Sequence, residues 1–332
     1  MADQFDTPMP EVKRDSYGRY VLPHPETGKE KSFTRVTTFA KTISDEYGLT
    51  LWKERMVAKG MALRPDLAAL AASMDVKADS KRLNQIAGKA KEAAGSSAAA
   101  NLGTALHSFT EMADTGHPMD AVPEVHRADV KAYSDTLTAA GITVVPGMVE
   151  RITCALWPGV AGTFDRVYQL ADGRRVIGDL KTGRDLSYNW LEIAIQLSAY
   201  RYGLSTAGVF DLRTGMWSGP VEGIDEVVGI VAHVPVGSGT CTLYEVDLKA
   251  GMNCAGIAVA VREARLESKK FAKVLAAPAP VPLRDWEEEF ASVVTREHAR
   301  TLWHEAKQDP MVTPERMNTL VVLGQAALTN TL

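Results

Sequence analysis

A chain of 332 residues can bury one large core and still carry an appendage. Hydrophobic residues make up 45% of it, yet no run approaches the roughly 18 consecutive apolar residues of a membrane span, which sets aside a helical membrane protein. A net charge of -4 sets aside a polycation that holds nucleic acid by bulk charge, and the three scattered cysteines, Cys154, Cys241 and Cys254, support neither a disulfide framework nor a four-thiolate metal site.

The acidic, proline-containing start MADQFDTPMPEVKRD lacks the pattern of a signal peptide, so a reducing cytoplasm and no membrane partner are expected. Residues 17–22 and 32–38 read as a hairpin around the turn-rich stretch 23–28. A helical region follows over residues 39–113, broken near Gly95-Ser96-Ser97, with residues 101–113 as one helix bearing His107. Residues 124–140 read as a further helix, ended by Gly141. The periodicity then changes. Residues 144–156, 162–170 and 175–180 are strand-like and separated by Pro158-Gly159 and Ala171-Asp172-Gly173. A helix over 190–203, strands over 227–234 and 240–246, and a helix over 253–275 complete an α/β layer fold with a mixed central sheet flanked by helices. Residues 276–283 (AAPAPVPL) read as a stiff Pro/Ala linker that separates a domain over 1–275 from a segment over 284–332. That segment reads as a small helical hairpin over 286–307 and 313–328, cored by Trp286, Phe290, Val294, Trp303, Met317 and Leu320.

Asp-x-Lys occurs four times: Asp75/Lys77, Asp129/Lys131, Asp179/Lys181 and Asp247/Lys249. The first two fall in stretches read as helical, where residues two apart diverge. Asp247 closes a strand whose hairpin partner, residues 227–236, brings no carboxylate. Only Asp179 has an acidic residue placed across a turn. Strand alternation sends Asp179 and Lys181 to one side and Leu180 to the other, and the antiparallel return brings Asp165 opposite. Two carboxylates beside an ammonium group are what a divalent cation and an activated water require for phosphodiester hydrolysis. Gln196 and Tyr200, four apart on the next helix, are neighbours able to orient the water, Lys181 or a phosphate oxygen. Gly103 and His107 share a helix face, with Glu111 one turn on, and an imidazole ligand shifts preference towards Mn²⁺ while tolerating Mg²⁺. Glu150 adds a further candidate carboxylate. Lys81, Arg82 and Lys89, together with Arg262, Arg265, Lys269 and Lys273 on one helical face, are candidates for a basic DNA groove or for plain solvated surface.

Taken in order, Gly103-x-x-x-His107, Gly162-Thr-Phe-Asp165, Gly178-Asp179-Leu-Lys181-Thr-Gly and Gln196-x-x-x-Tyr200 resemble the RecB-type branch of the PD-(D/E)XK nucleases. Bacteriophage exonucleases and mitochondrial genome maintenance exonucleases share this pattern. Arg35-Val-Thr-Thr38 with Trp52 is similar to the amino-terminal region of the phage members. The resemblance implies a restriction-endonuclease-like core in which His107, Asp165, Asp179 and the Leu180 carbonyl bind Mg²⁺ or Mn²⁺. It also implies that Lys181 assists the attacking water, that Gln196 and Tyr200 lie near DNA and the lysine, and that Arg35 touches DNA. Three cysteines are too few for the iron–sulfur cluster of one branch, and no G-x-x-x-x-G-K-[ST] loop marks a fused helicase motor. The expected function is a metal-dependent DNA exonuclease in recombination, repair or replication, cytoplasmic in a bacterial host if phage-encoded. Its DNA is single- or double-stranded. A structure-specific endonuclease of the same fold and an inert DNA-binding recombination scaffold stay open, as does self-association or docking of a recombination or replication partner through the carboxy-terminal helices.

Overall fold

The computed structural model describes residues 11–275 and 284–330; the expected linker over 276–283 lies outside them. The chain divides into two compact units, Met1–Lys269 and Lys270–Leu332.

In the first unit β1 (Tyr20–Pro23) and β2 (Glu30–Arg35) form the expected hairpin, with Tyr20 opposite Phe33. Residues 36–38, read as strand, instead begin α1 (Val36–Ala40), because helical geometry buries Val36 and Phe39 together. Tertiary packing overrides the β propensity of Val and Thr here. Then come α2 (Tyr47–Leu63), α3 (Pro65–Ala72), α4 (Ser80–Ala93), α5 (Ala98–Asp114) and α6 (Glu124–Ala139). Asp75/Lys77 is not helical as expected. It lies in the turn before α4, where the Asp75 carboxylate accepts from the Lys77 and Ala78 amides at 2.8 and 2.7 Å.

β3 (Thr143–Ala155), β4 (Val160–Gln169) and β5 (Arg175–Lys181) make the expected antiparallel meander. Gly173, at φ 87°, takes the left-handed position in the β4–β5 turn, which suits a residue without Cβ. α7 (Trp190–Thr206) follows, then β6 (Phe210–Asp211) and β7 (Met216–Trp217), a pair of two-residue strands too short to leave a periodic signal. β8 (Ile224–His233) lies parallel to β5, and β9 (Thr242–Asp247) antiparallel to β8. The sheet order β7-β6-β3-β4-β5-β8-β9, with β2 joined in parallel to β4, is mixed.

α8 (Leu248–Glu267) begins five residues earlier than expected, because the Asp247 carboxylate caps it by accepting from the Lys249 and Ala250 amides. It also ends earlier. The Ser268 hydroxyl donates back to the Arg265 carbonyl at 2.8 Å, and the chain tightens into a 3-10 turn over Ser268–Lys270. The helical face expected to carry Arg262, Arg265, Lys269 and Lys273 therefore stops at Arg265.

Helices cover both faces of the sheet. On one, α1, α7 and α8 pack Phe39, Ile193, Leu197 and Ala255 against Val167, Ile177 and Val231. On the other, Leu106 of α5 and Val130 and Tyr133 of α6 pack on Tyr168, Val176 and Leu180. Leu180 thus does point to the layer opposite Asp179. No helix among the described residues is long and apolar enough to cross a membrane.

Among its described residues the second unit has three α-helices where two were expected: α9 (Trp286–Ala291), α10 (Arg296–Ala306) and α11 (Pro314–Asn330). The break falls where the Thr295 hydroxyl caps α10, accepting from the His298 amide at 3.2 Å. Trp286, Phe290, Leu302 and Leu320 form its core with Trp303 and Met317 at the margin, but Val293 is buried there and Val294 is 61% exposed.

Candidate metal centre

Register brings the acidic residues together. In the β3–β4 ladder Val149 faces Arg166 and Arg151 faces Phe164, so Glu150 and Asp165 fall between those pairs. The β4–β5 ladder ends at Arg166–Gly178, and Asp165 and Asp179 lie one residue beyond. There the strands part, and the Leu180 amide donates to Asp165 Oδ2 at 2.7 Å in place of a ladder carbonyl. α5 reaches this point because Gly103 lacks a Cβ: one added there would meet Thr182 Oγ1 at 2.6 Å. His107, one turn on, has Nδ1 3.5 Å from Asp165 Oδ2.

His107, Glu150 and Asp165 each offer a ligand atom within 4.8 Å of the others. Glu150 adopts φ 48°, a left-handed conformation that costs a residue with a Cβ, next to the bulge between Val144 and Val149. That twist turns a solvent-side strand residue into the cluster. The residue as a whole stays exposed, but the carboxyl is crowded: burial, then the Asp165 and Glu111 charges, push its pKa up to about 8. Burial lowers the His107 pKa, and Arg166 and Lys181 add to this against the opposing pull of Asp165. The imidazole is thereby kept neutral, with a lone pair available to a cation.

Asp179 stands beside this trio and outside it. Its carboxylate is almost fully buried, accepts from Gln196 Nε2 at 3.0 Å, and has Lys181 Nζ 2.6 Å from Oδ2. The angles of that ion pair leave Oδ2 without a well-formed hydrogen bond. Burial raises the Asp179 pKa to about 6; Lys181 offsets part of that rise, and the Asp165 charge adds to it by less than Lys181 takes away. For Lys181 burial opposes the charge, but Asp179 and Asp165 outweigh it and hold the pKa above the ordinary lysine value. Tyr200, expected near DNA and the lysine, is instead only 3% exposed and packs near Phe164 with its ring over Gly162, where a Cβ would come within 2.8 Å of it.

Beneath the trio lies a network that the sequence motifs did not single out. Arg166 is fully buried, and its Nη1 sits 2.9 Å from Asp114 Oδ2 and donates to the Tyr133 hydroxyl. Tyr133 in turn donates to Asp114 Oδ1 at 3.0 Å, so the Tyr168 hydroxyl, 3.4 Å away, must donate to Tyr133. Glu111 joins from α5, its carboxyl hydrogen-bonded to Glu150 and its pKa raised first by burial. The spacing of His107, Glu111 and Asp114 is the signal that was there to be read: i, i+4, i+7 is one helix face.

Two clefts flank the centre. One, of about 840 Å³, is lined by Gly103, His107, Thr182, Arg184 and the Pro235–Ser238 loop. That loop is fixed by buried Asp129, whose carboxylate accepts from the Gly237 and Gly239 amides at 2.7 and 2.8 Å. The other, of about 650 Å³, is lined by Arg35, Lys41, Asn189, Glu192, Lys181 and Gln196. The remaining basic candidates divide. Lys81, Arg82 and Lys89 lie exposed on α4. Arg262 donates to Thr34 Oγ1 at 3.3 Å and Arg265 to the Thr42 carbonyl at 3.4 Å, so both brace α8 against the amino-terminal segment. Compared with known proteins, the chain matches no protein-family model and no curated protein.

Proposed function

We propose that this chain is a metal-dependent DNA nuclease of the RecB-type PD-(D/E)XK kind, with a restriction-endonuclease-like core and exonuclease activity in DNA recombination, repair or replication. The observation that carries the reading is the convergence of His107, Glu150 and Asp165 within 4.8 Å beside the Asp179–Lys181 pair.

The donor set fits a hard divalent cation. Burial first and the neighbouring Asp165 charge second raise the Glu150 pKa to about 8, so the two carboxylates gain from a positive charge between them, and a neutral imidazole with oxygen donors suits Mn²⁺ and Mg²⁺. His107, Glu150 and Asp165 would hold the ion, with Asp179 and the Leu180 carbonyl adjacent. Such an ion supplies Lewis acidity at the phosphate and lowers the pKa of a bound water from about 15.7 towards about 7. The chain's own groups do the rest. Lys181, fixed by Asp179, places an ammonium charge where the attacking water and a phosphate oxygen would sit. Gln196 holds Asp179 through its other oxygen and so keeps that lysine in place. Arg35, Lys41 and Arg184 line the clefts on either side and supply cations for the flanking phosphates.

End-labelled linear, circular and single-stranded DNA, incubated with Mg²⁺ or Mn²⁺ beside Asp165→Ala and Asp179→Ala, tests this reading. Metal-dependent loss of linear DNA with circles intact is expected. Cutting of circles points to an endonuclease, and undiminished cleavage by either variant ends the assignment.

A further inference from the structure

The face of the sheet that carries Asp179 and Lys181 does not end at the centre. Register sets Asp179 opposite Val231 and Val231 opposite Tyr244, and sets Lys181 opposite His233 and His233 opposite Thr242. Paired residues project to the same side, and neighbouring strands are about 4.8 Å apart, so Tyr244 stands roughly 10 Å from Asp179 along one row. Tyr244 is 38% exposed, and its ring meets that of Trp190, the first residue of α7, edge-on at 5.0 Å. The His233 ring lies 6.3 Å from Tyr244, and its Nε2–H donates to the Gly183 carbonyl at 2.7 Å. This ties the aromatic group to the loop that directly follows Lys181. Tyr188, 92% exposed, stands two residues before Trp190. On the other flank of that loop Arg184 is exposed and forms no ion pair among the described residues.

Single exposed aromatic residues need no explanation. Here exposed Tyr244, half-buried Trp190 and the histidine cluster at one end of a row that begins with the Asp179–Lys181 pair. Exposed Tyr188 is two residues from Trp190 in sequence, and beside the same loop lies a guanidinium that forms no ion pair among the described residues. A polyanion with flat apolar substituents matches both halves of that surface. We propose that Tyr244, with Trp190 and Tyr188, is a stacking platform for the unpaired bases of a single strand whose backbone passes Arg184 and Lys181. Base–aromatic stacking is sequence-tolerant because every base has a π face, so the platform selects unpaired strands without selecting sequence. Stacking here places the strand in register with the centre, since His233 fixes the distance between the platform and the Lys181 loop.

The inference rests on the nuclease reading, and its test is kept separate by excluding metal. The full chain in chelator is titrated against fluorescein-labelled oligothymidylate and against an abasic oligomer of equal length, with anisotropy as the readout. Tyr244→Ala is expected to raise the Kd for oligothymidylate about tenfold and leave that for the abasic oligomer unchanged, while Tyr244→Phe keeps wild-type binding. Tyr244→Leu preserves apolar bulk against Trp190 and is expected to weaken binding as Ala does, which covers a folding defect in the smaller variant. Equal affinity of the wild type for both oligomers, unchanged oligothymidylate binding by Tyr244→Ala and Tyr244→Leu, or parallel loss on both oligomers overturns the platform. Base-dependent binding by a wild type that cleaves nothing leaves the platform standing and removes the nuclease reading.

Discussion

The Leu180 amide donates to Asp165 Oδ2 at 2.7 Å, so one carboxylate both closes the end of a β ladder and faces His107. These two duties separate on substitution. Asp165→Asn keeps an oxygen to accept from Leu180 but loses the charge, whereas Asp165→Ala loses both. The asparagine variant is expected to melt close to wild type, with Mn²⁺ binding by calorimetry abolished and cleavage reduced at least a thousandfold, on the order of a lost electrostatic group at a reacting phosphate. The alanine variant should lose, in addition, about 1–3 kcal/mol of stability for an unsatisfied backbone donor. An asparagine variant that binds Mn²⁺ like wild type removes Asp165 from the ligand set.

Glu150 gives the metal-free protein a pH dependence of defined sign. Its folded pKa, about 8, lies above the ordinary glutamate value, chiefly because burial and then Asp165 disfavour the charge. The folded state therefore binds the proton more tightly than the unfolded chain does. Glu150's contribution to stability is complete below about pH 4.5 and is lost as pH rises through about 8. Thermal melts in chelator are expected to show wild type falling relative to Glu150→Gln across that interval. Added Mn²⁺ should raise the wild-type Tm more at pH 8.5 than at pH 6, because the ion takes the place of the proton. Identical pH profiles for the two proteins would contradict the crowding of this carboxyl.

The meander and the Asp179–Lys181 pair were legible because strand alternation and turn chemistry are local properties. Among four Asp-x-Lys copies, context selected the one on a strand end; Asp129 and Asp247 serve as a loop anchor and a helix cap. Glu150 could be named only as a further candidate, because a backbone at φ 48° leaves no trace in residue types. Arg166 was passed over for a different reason. It directly follows Asp165, and a charged residue on a strand reads as solvent-facing unless its partners, on two helices far away in sequence, are known. The break between α9 and α10 was missed because one well-placed threonine outweighs a run of helix formers. Helix α1 went the other way, with burial of Phe39 overriding β-branched neighbours.

Arg166 and Asp114 form an ion pair with almost no access to water, exposed 0% and 4%. Removing one partner leaves the other charged and buried, which costs about 3–5 kcal/mol. Arg166→Met is therefore expected to lower stability by about that amount in urea unfolding. Arg166→Met combined with Asp114→Leu should recover much of the loss, since two apolar groups strand no charge. Neither residue is within the trio, so the double variant is also expected to bind Mn²⁺ more weakly by a moderate factor, through loss of the floor on which Asp165 and Glu111 rest. A double variant no more stable than Arg166→Met alone would show that the network contributes through packing and not through charge pairing.

Gly103 lets α5 approach the loop after Lys181, and this fixes where His107 stands. A methyl group there would lie 2.6 Å from Thr182 Oγ1, closer than non-bonded atoms come, so Gly103→Ala must displace the helix or the loop. Overpacking of this kind costs about 1–3 kcal/mol. The larger effect is expected in catalysis, because a displacement on the order of 1 Å at a positioned group can cost about a hundredfold in rate. The clash has a single partner, and that makes the prediction sharp. Thr182→Ala removes the Oγ1 and is expected to restore most of the metal-dependent cleavage lost in Gly103→Ala, while having little effect alone. If the double variant stays as inactive as Gly103→Ala, the glycine acts through something other than the distance between α5 and this loop. The helix would then have to be examined for a change in its own register at His107.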